Sequence, residues 1–141
     1  MLTIYTSGNK TRKKLCNKVV EWFYSNYLIE YDTIIEVLHR GLIREGVYGY
    51  CDVVDDEYKE YLIEIHNRLT KEDYIKCLIH ELVHVQQFCS GALEIKSCKR
   101  YFKGVCMDDL NYENQHHEIE AHKREEELYE ELLETYPSIV S

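Results

Sequence analysis

The chain has 141 residues, 45% of them hydrophobic and 30% charged, with a formal net charge of −9 and a pI near 5.2. That length suits one domain over residues 1–141 with a substantial core. The acidic balance argues against a nucleic-acid binder, because the densest basic cluster is only Lys10, Arg12, Lys13 and Lys14 at a helix start. No apolar run approaches the roughly 18 residues of a membrane span, and the first six residues lack the charged-then-apolar order of a secretory signal. A cytoplasmic location away from membranes is therefore expected. Cys16, Cys51, Cys77, Cys89, Cys98 and Cys106 form no C-x-x-C pair, which favours free, partly buried thiols over a cysteine zinc knuckle.

In chain order, Leu2 to Thr6 alternates weakly and reads as a short strand. From Asn9, an N-cap candidate, to about Tyr27, the apolar positions Leu15, Val19, Trp22, Phe23 and Tyr27 keep a helical period. Residues 33–38 and 47–54 are rich in β-branched and aromatic side chains. With Gly41 and Gly46 in the connection, they are expected to form antiparallel strands. Residues 61–66 are a third strand-like run, and His39 and His66 are expected at strand edges.

Thr70-x-x-Asp73 has the form of a capping box with aspartate in the glutamate position. It opens a helix whose core stripe is Ile75, Leu78, Ile79, Leu82, Val83 and Cys89, with Gly91 as the stop. Residues 101–105 suggest a small hairpin or irregular strand, and 108–117 a polar loop. From Glu118 to Tyr136 there is neither glycine nor proline, so a helix is expected up to Pro137. The acidic run Glu125-Glu126-Glu127 reads as its solvated face.

The central helix carries His80-Glu81-Leu82-Val83-His84. Residues four apart project from one helix face, so His80 and His84 can share a metal ion. Glu81 is turned about 100° away and reaches a water on that metal, the position of a general base. Catalytic zinc sites usually have three protein ligands. A histidine six residues after His84, with glycine three residues after, would mark the metzincin class; those positions hold Ser90 and Gln87.

The next candidates lie in residues 116–122. At about 100° per residue, Ala121, Leu128, Tyr129, Leu132, Leu133 and Tyr136 fall within about 80° of Glu118, while Glu120 points about 200° away, toward solvent. Glu118 is therefore the preferred third ligand. His116 and His117 read as loop histidines, Tyr112 as a weak candidate for an oxyanion donor, and Cys77 as a packed thiol near the site.

His80-Glu81-x-x-His84 followed by Glu118-x-x-Ala121 resembles the gluzincin pattern, H-E-x-x-H with a later E-x-x-A on a second helix. The wording His-Glu-Leu-Val-His-Val-Gln-Gln, then Glu-Ile-Glu-Ala, is similar to small metallopeptidase-like proteins of phage and viral genomes, over roughly residues 60 to 125. The resemblance implies an α+β, minimal zincin-like fold, with a small antiparallel-rich sheet packed on an active-site helix and a C-terminal ligand-bearing helix. It implies that the strand near 61–66 pairs with an extended peptide or protein substrate. Many gluzincins carry an aspartate four residues after the ligand glutamate, supporting a zinc histidine. This chain has His122 there, which can support the site, replace Glu118, or do neither; Glu120 is an alternative support.

The resulting expectation is zinc-dependent peptide hydrolysis, with Zn2+ on His80, His84 and Glu118 and with Glu81 as general base activating a zinc-bound water. The rival expectations are a non-catalytic zinc-binding interaction module and a metal-free adaptor whose acidic C-terminal helix binds a basic partner.

Overall fold

The computed structural model describes all 141 residues. It comprises strands β1 (Leu2–Ser7), β2 (Thr33–Arg40), β3 (Gly49–Asp55) and β4 (Glu60–His66), then β5 (Leu93–Lys96), β6 (Lys99–Phe102) and β7 (Val105–Cys106). The helices are α1 (Lys13–Phe23), extended by one π-helical turn over Tyr24–Leu28, α2 (Lys71–Cys89) and α3 (His116–Thr135). The class is α+β, as the sequence implies.

The larger sheet has the order β1-β2-β4-β3. β2 pairs in parallel with both β1 and β4, and β3 closes the sheet antiparallel to β4. The strands expected at 33–38 and 47–54 do run in opposite directions, but they are not neighbours. β4 lies between them because Tyr61, Ile63 and Ile65 are all fully buried, and such a strand is best satisfied with a partner on each side. This also corrects the expected substrate strand. Both edges of β4 are occupied, and the free edge on this side of the sheet belongs to β3.

The core lies where α1 and α2 cover the larger sheet, with Val19, Val20 and Phe23 of α1 and Ile75, Leu78, Ile79 and Leu82 of α2 against Ile35, Val37, Tyr61, Ile63 and Ile65. The Thr70 hydroxyl accepts from the Asp73 amide at 3.2 Å, so the capping residue does what its position implies. α2 ends before Gly91, whose φ of +81° is open to glycine at little cost. α3 packs on α2 through Ala121, Leu128, Tyr129 and Leu132. Residues 93–106 form a separate three-stranded antiparallel sheet, β5-β6-β7, between these two helices in sequence.

His39 and His66 are buried rather than at edges. His39 bonds Ser7 O at 2.8 Å and the Tyr74 hydroxyl at 2.6 Å, and His66 Nδ1 accepts from the Leu42 amide at 3.1 Å. A buried imidazole is tolerable when its ring nitrogens are satisfied in this way. All six cysteines are free thiols. No helix is long and apolar enough to cross a membrane.

Candidate metal centre

Thirteen of the nineteen residues of α2 are buried, and three of them are His80, Glu81 and His84. Each of these three offers a ligand atom within 4.8 Å of the others, a group able to hold a metal ion. α3 begins two residues before Glu118, which places that carboxylate in the first turn, where the positive end of the helix dipole favours it. Glu118 Oε1 lies 2.9 Å from His80 Nε2 and 2.8 Å from His84 Nε2. The structure thus brings the four residues singled out in the sequence into one cluster.

The outward nitrogens of both imidazoles also have partners. His84 Nδ1 is 2.7 Å from Gln87 Oε1, while Gln87 Nε2 donates to His117 O at 3.0 Å and to Glu120 Oε1 at 3.1 Å. Two acceptors around Nε2 fix the orientation of the amide, so its oxygen faces His84 and that imidazole donates from Nδ1. A neutral His84 then presents a lone pair at Nε2 to a carboxylate oxygen. Two acceptors at that separation need a cation to reconcile them. His80 is similar: Nε2 faces Glu118, and Nδ1 lies 3.2 Å from Glu125 Oε1 without the alignment of a hydrogen bond.

The electrostatics follow. Burial alone lowers the His80 imidazole, but Glu118 and Glu125 outweigh it and lift His80 to about 10. Burial would raise the Glu118 carboxyl, yet the hydrogen bonds from His80 and His84 hold it well below the ordinary carboxylate range. Burial pushes Glu81 up, with His84 and His80 opposing only in part. Its Oε2 is buried with no hydrogen-bond partner. In a metal-free cluster the compensating cations are protons. A divalent ion that accepts imidazole nitrogen and carboxylate oxygen takes the same lone pairs, so the donor set fits such a metal.

The cluster opens into a cleft of about 900 Å³. One wall is the 46–51 segment that leads into the free edge of β3; the opposite wall is Tyr112 and the first turns of α3. Gly49 presses on the site. A Cβ there would lie 2.9 Å from Cys77 Sγ, 3.0 Å from Glu64 O and 3.3 Å from Glu81 Cγ, so only glycine lets β3 approach so closely. A second hollow of about 410 Å³ between β1 and α1 holds no comparable cluster.

Other candidates fall differently. His122 neither replaces Glu118 nor lies apart: its ring is 4.5 Å from that of His80, and its Nε2 is 3.0 Å from the Tyr112 hydroxyl. His80, His122 and Glu125 form a second group with ligand atoms within 4.8 Å. Glu120 is half-buried and bonded to Gln87, not directed wholly to solvent. His117 is in the first turn of α3 instead of a loop; it is 3% exposed, and burial lowers it to about 4, so it is neutral. Cys77 lines the cleft.

The acidic run reads as a solvated face in the sequence, yet the Glu125 side chain is only 18% exposed and sits against His80. Its signal was available, because seven residues after Glu118 is about 20° from the same direction. Gln87 carried a comparable signal, a polar residue one turn beyond His84 on a buried helix. The chain matches no protein-family model, no curated protein and no solved structure, so the gluzincin resemblance rests on its two motifs alone.

Proposed function

We propose that this chain is a zinc-dependent metallopeptidase of the gluzincin type, with His80, His84 and Glu118 as metal ligands and Glu81 as general base. The observation that carries the reading is Glu81 itself. A buried carboxylate with an unpartnered oxygen is costly, and this one stands beside two imidazoles at the floor of a cleft bordered by a free strand edge. A purely structural metal site has no use for it.

Zinc bound there would acidify a water and polarise a carbonyl. Glu81, raised by burial, is suited to accept a proton from water and return it to the leaving amine, a role typically worth about 10²–10⁴ in rate. Gln87 holds His84 in the tautomer that leaves Nε2 free for a metal, and Glu125 sets a negative charge 3.2 Å from His80 Nδ1. β3, and not β4, offers an extended peptide an unpaired edge beside Glu81. Tyr112 and His122, bonded to each other at 3.0 Å on the α3 wall of the cleft, are candidate donors for an oxyanion.

The test is Glu81→Gln. The expected result is one bound zinc per chain, as in the wild type, with hydrolysis of an unfolded protein substrate abolished. A Glu81→Gln protein that still cleaves would overturn the mechanism. Stoichiometric zinc without turnover in the wild type would favour an interaction module, and no zinc at all a metal-free adaptor.

A further inference from the structure

The cleft contains one cation with nothing to do. Of the two basic residues that line it, Lys76 is paired with Glu72 at 3.3 Å and Glu126 at 3.5 Å. Arg100 lines it too, yet its guanidinium makes neither a hydrogen bond nor an ion pair. The backbone of Arg100 is firmly held. It sits opposite Ile95 in the β5–β6 register, its amide donates to Asp108 Oδ1 at 3.0 Å, and its carbonyl accepts from the Met107 amide at 2.8 Å. Two residues along β6, on the same face, Phe102 is 5% exposed with its ring 6.2 Å from that of His117. Arg100 is thereby aimed into the cleft from a fixed strand.

Charge is distributed unevenly along this cleft. At the end formed by Leu93 and Arg100, the guanidinium is the one charged group that the 93–107 segment contributes to the lining. The other end, near the start of α2, presents Asp73, Glu125 and Glu126. Arg100 lines the same cleft as Glu81, His84 and His117. Guanidinium is the side chain best matched to a carboxylate, through two parallel hydrogen bonds.

We infer that Arg100 is a specificity-determining residue that binds a substrate carboxylate, an Asp or Glu side chain, next to the scissile bond. This rests on the metallopeptidase reading above and names its substrate class: peptides with an acidic residue on the Arg100 side of the cut. Arg100 is solvent-exposed, so a charge-assisted contact from it is worth up to about five-fold in selectivity.

Zinc-loaded wild type and Arg100→Gln are given a degenerate peptide library, and cleavage sites are read by mass spectrometry. The expected result is an enrichment of Asp and Glu at one fixed position from the cut of about two- to five-fold over Gln, lost in Arg100→Gln and partly kept in Arg100→Lys. Cleavage by wild type without that enrichment, or an unchanged profile in Arg100→Gln, overturns the inference and leaves the peptidase reading standing. In parallel, fluorescence anisotropy measures binding of labelled Glu-, Gln- and Lys-containing versions of one peptide to Glu81→Gln and to Glu81→Gln/Arg100→Gln. This arm judges Arg100 even if the wild type cleaves nothing, which would sink the peptidase reading by itself. Tighter binding of the Glu peptide that depends on Arg100 supports the inference. Equal binding of all three, or preferential binding of a single-stranded oligonucleotide through Arg100, overturns it.

Discussion

Replacing Gln87 with methionine isolates the part of the centre that the motif does not contain. The two side chains are similar in volume, so the packing loss is small. Gln87 is 3% exposed and makes three hydrogen bonds. Their losses are unequal. Glu120 is half-buried and turns to water, and the His117 carbonyl keeps its place in the α3 ladder. Only the His84 Nδ1–H is stranded in the interior, at about 1–3 kcal/mol, and the lost bond to the His117 carbonyl adds roughly 1 kcal/mol. The metal-free variant should therefore be about 2–4 kcal/mol less stable in urea unfolding with chelator present. Once the imidazole is free to rotate or change tautomer, zinc affinity should fall about 10–100-fold, measured by competition with a fluorescent chelator. A Gln87→Met protein whose stability changes by less than about 0.5 kcal/mol, the usual range of a surface substitution, and whose zinc affinity is unchanged, would refute the idea that this amide orients the ligand.

Metal analysis of Glu118→Ala and Glu120→Ala should show zinc lost from the first and retained, more weakly, by the second; the reverse would exchange their roles. Gly49→Ala should cost about 1–3 kcal/mol by overpacking and reduce hydrolysis more than stability, since Cys77 Sγ at 2.9 Å and Glu81 Cγ at 3.3 Å must yield; an unaffected variant would mean that β3 does not press on the base. The metal-free protein should have its highest urea midpoint near about pH 6 and lose stability toward about pH 9. His80, raised from 6.5 to about 10, stabilises fully below about pH 6.5 and ceases to do so as pH climbs through about 10. Raised Glu81 acts in the same direction, because ionising it in the interior costs stability. Depressed Glu118 stabilises above its ordinary value of 4.5 and loses that on acidification. A midpoint that is flat or rises between neutral pH and about pH 9 would refute this network.

What was legible in the sequence was what depends on local geometry. Rotation of about 100° per residue placed His80 and His84 on one face and turned Glu118 inward, and both hold in three dimensions. Applied once more, the same rotation reaches Glu125, but three consecutive glutamates looked like solvent. Glu120 shows the limit of that reasoning. Its direction was right relative to its own helix, yet a long amide from α2 reaches around to meet it. Strand adjacency was not legible, because glycines between two strands signal a reversal and not which strand fills the space beside them. β4 claimed that space through Tyr61, Ile63 and Ile65, a long-range packing preference that no window of sequence displays.

The same division explains why α3 is placed accurately enough for chemistry. Its second half is fastened to α2 by apolar contact, Leu128, Tyr129 and Leu132 being buried. Its first half has only Ala121 of that kind, and the rest of what it turns to the site is His117, Glu118, His122 and Glu125, polar groups that add little hydrophobic driving force. The imidazoles of His80 and His84 and the carboxylates of Glu81, Glu118 and Glu125 meet there at the floor of the cleft. Such a cluster holds together only with positive charge inside it, supplied by protons or by a metal. The ion that serves the chemistry would therefore also dock the first half of α3, and the polar residues that flank the two imidazoles, Gln87 and Glu125, lie on opposite sides of that joint. Binding and local folding are then one equilibrium, which is why a substitution beyond the ligands can weaken both together.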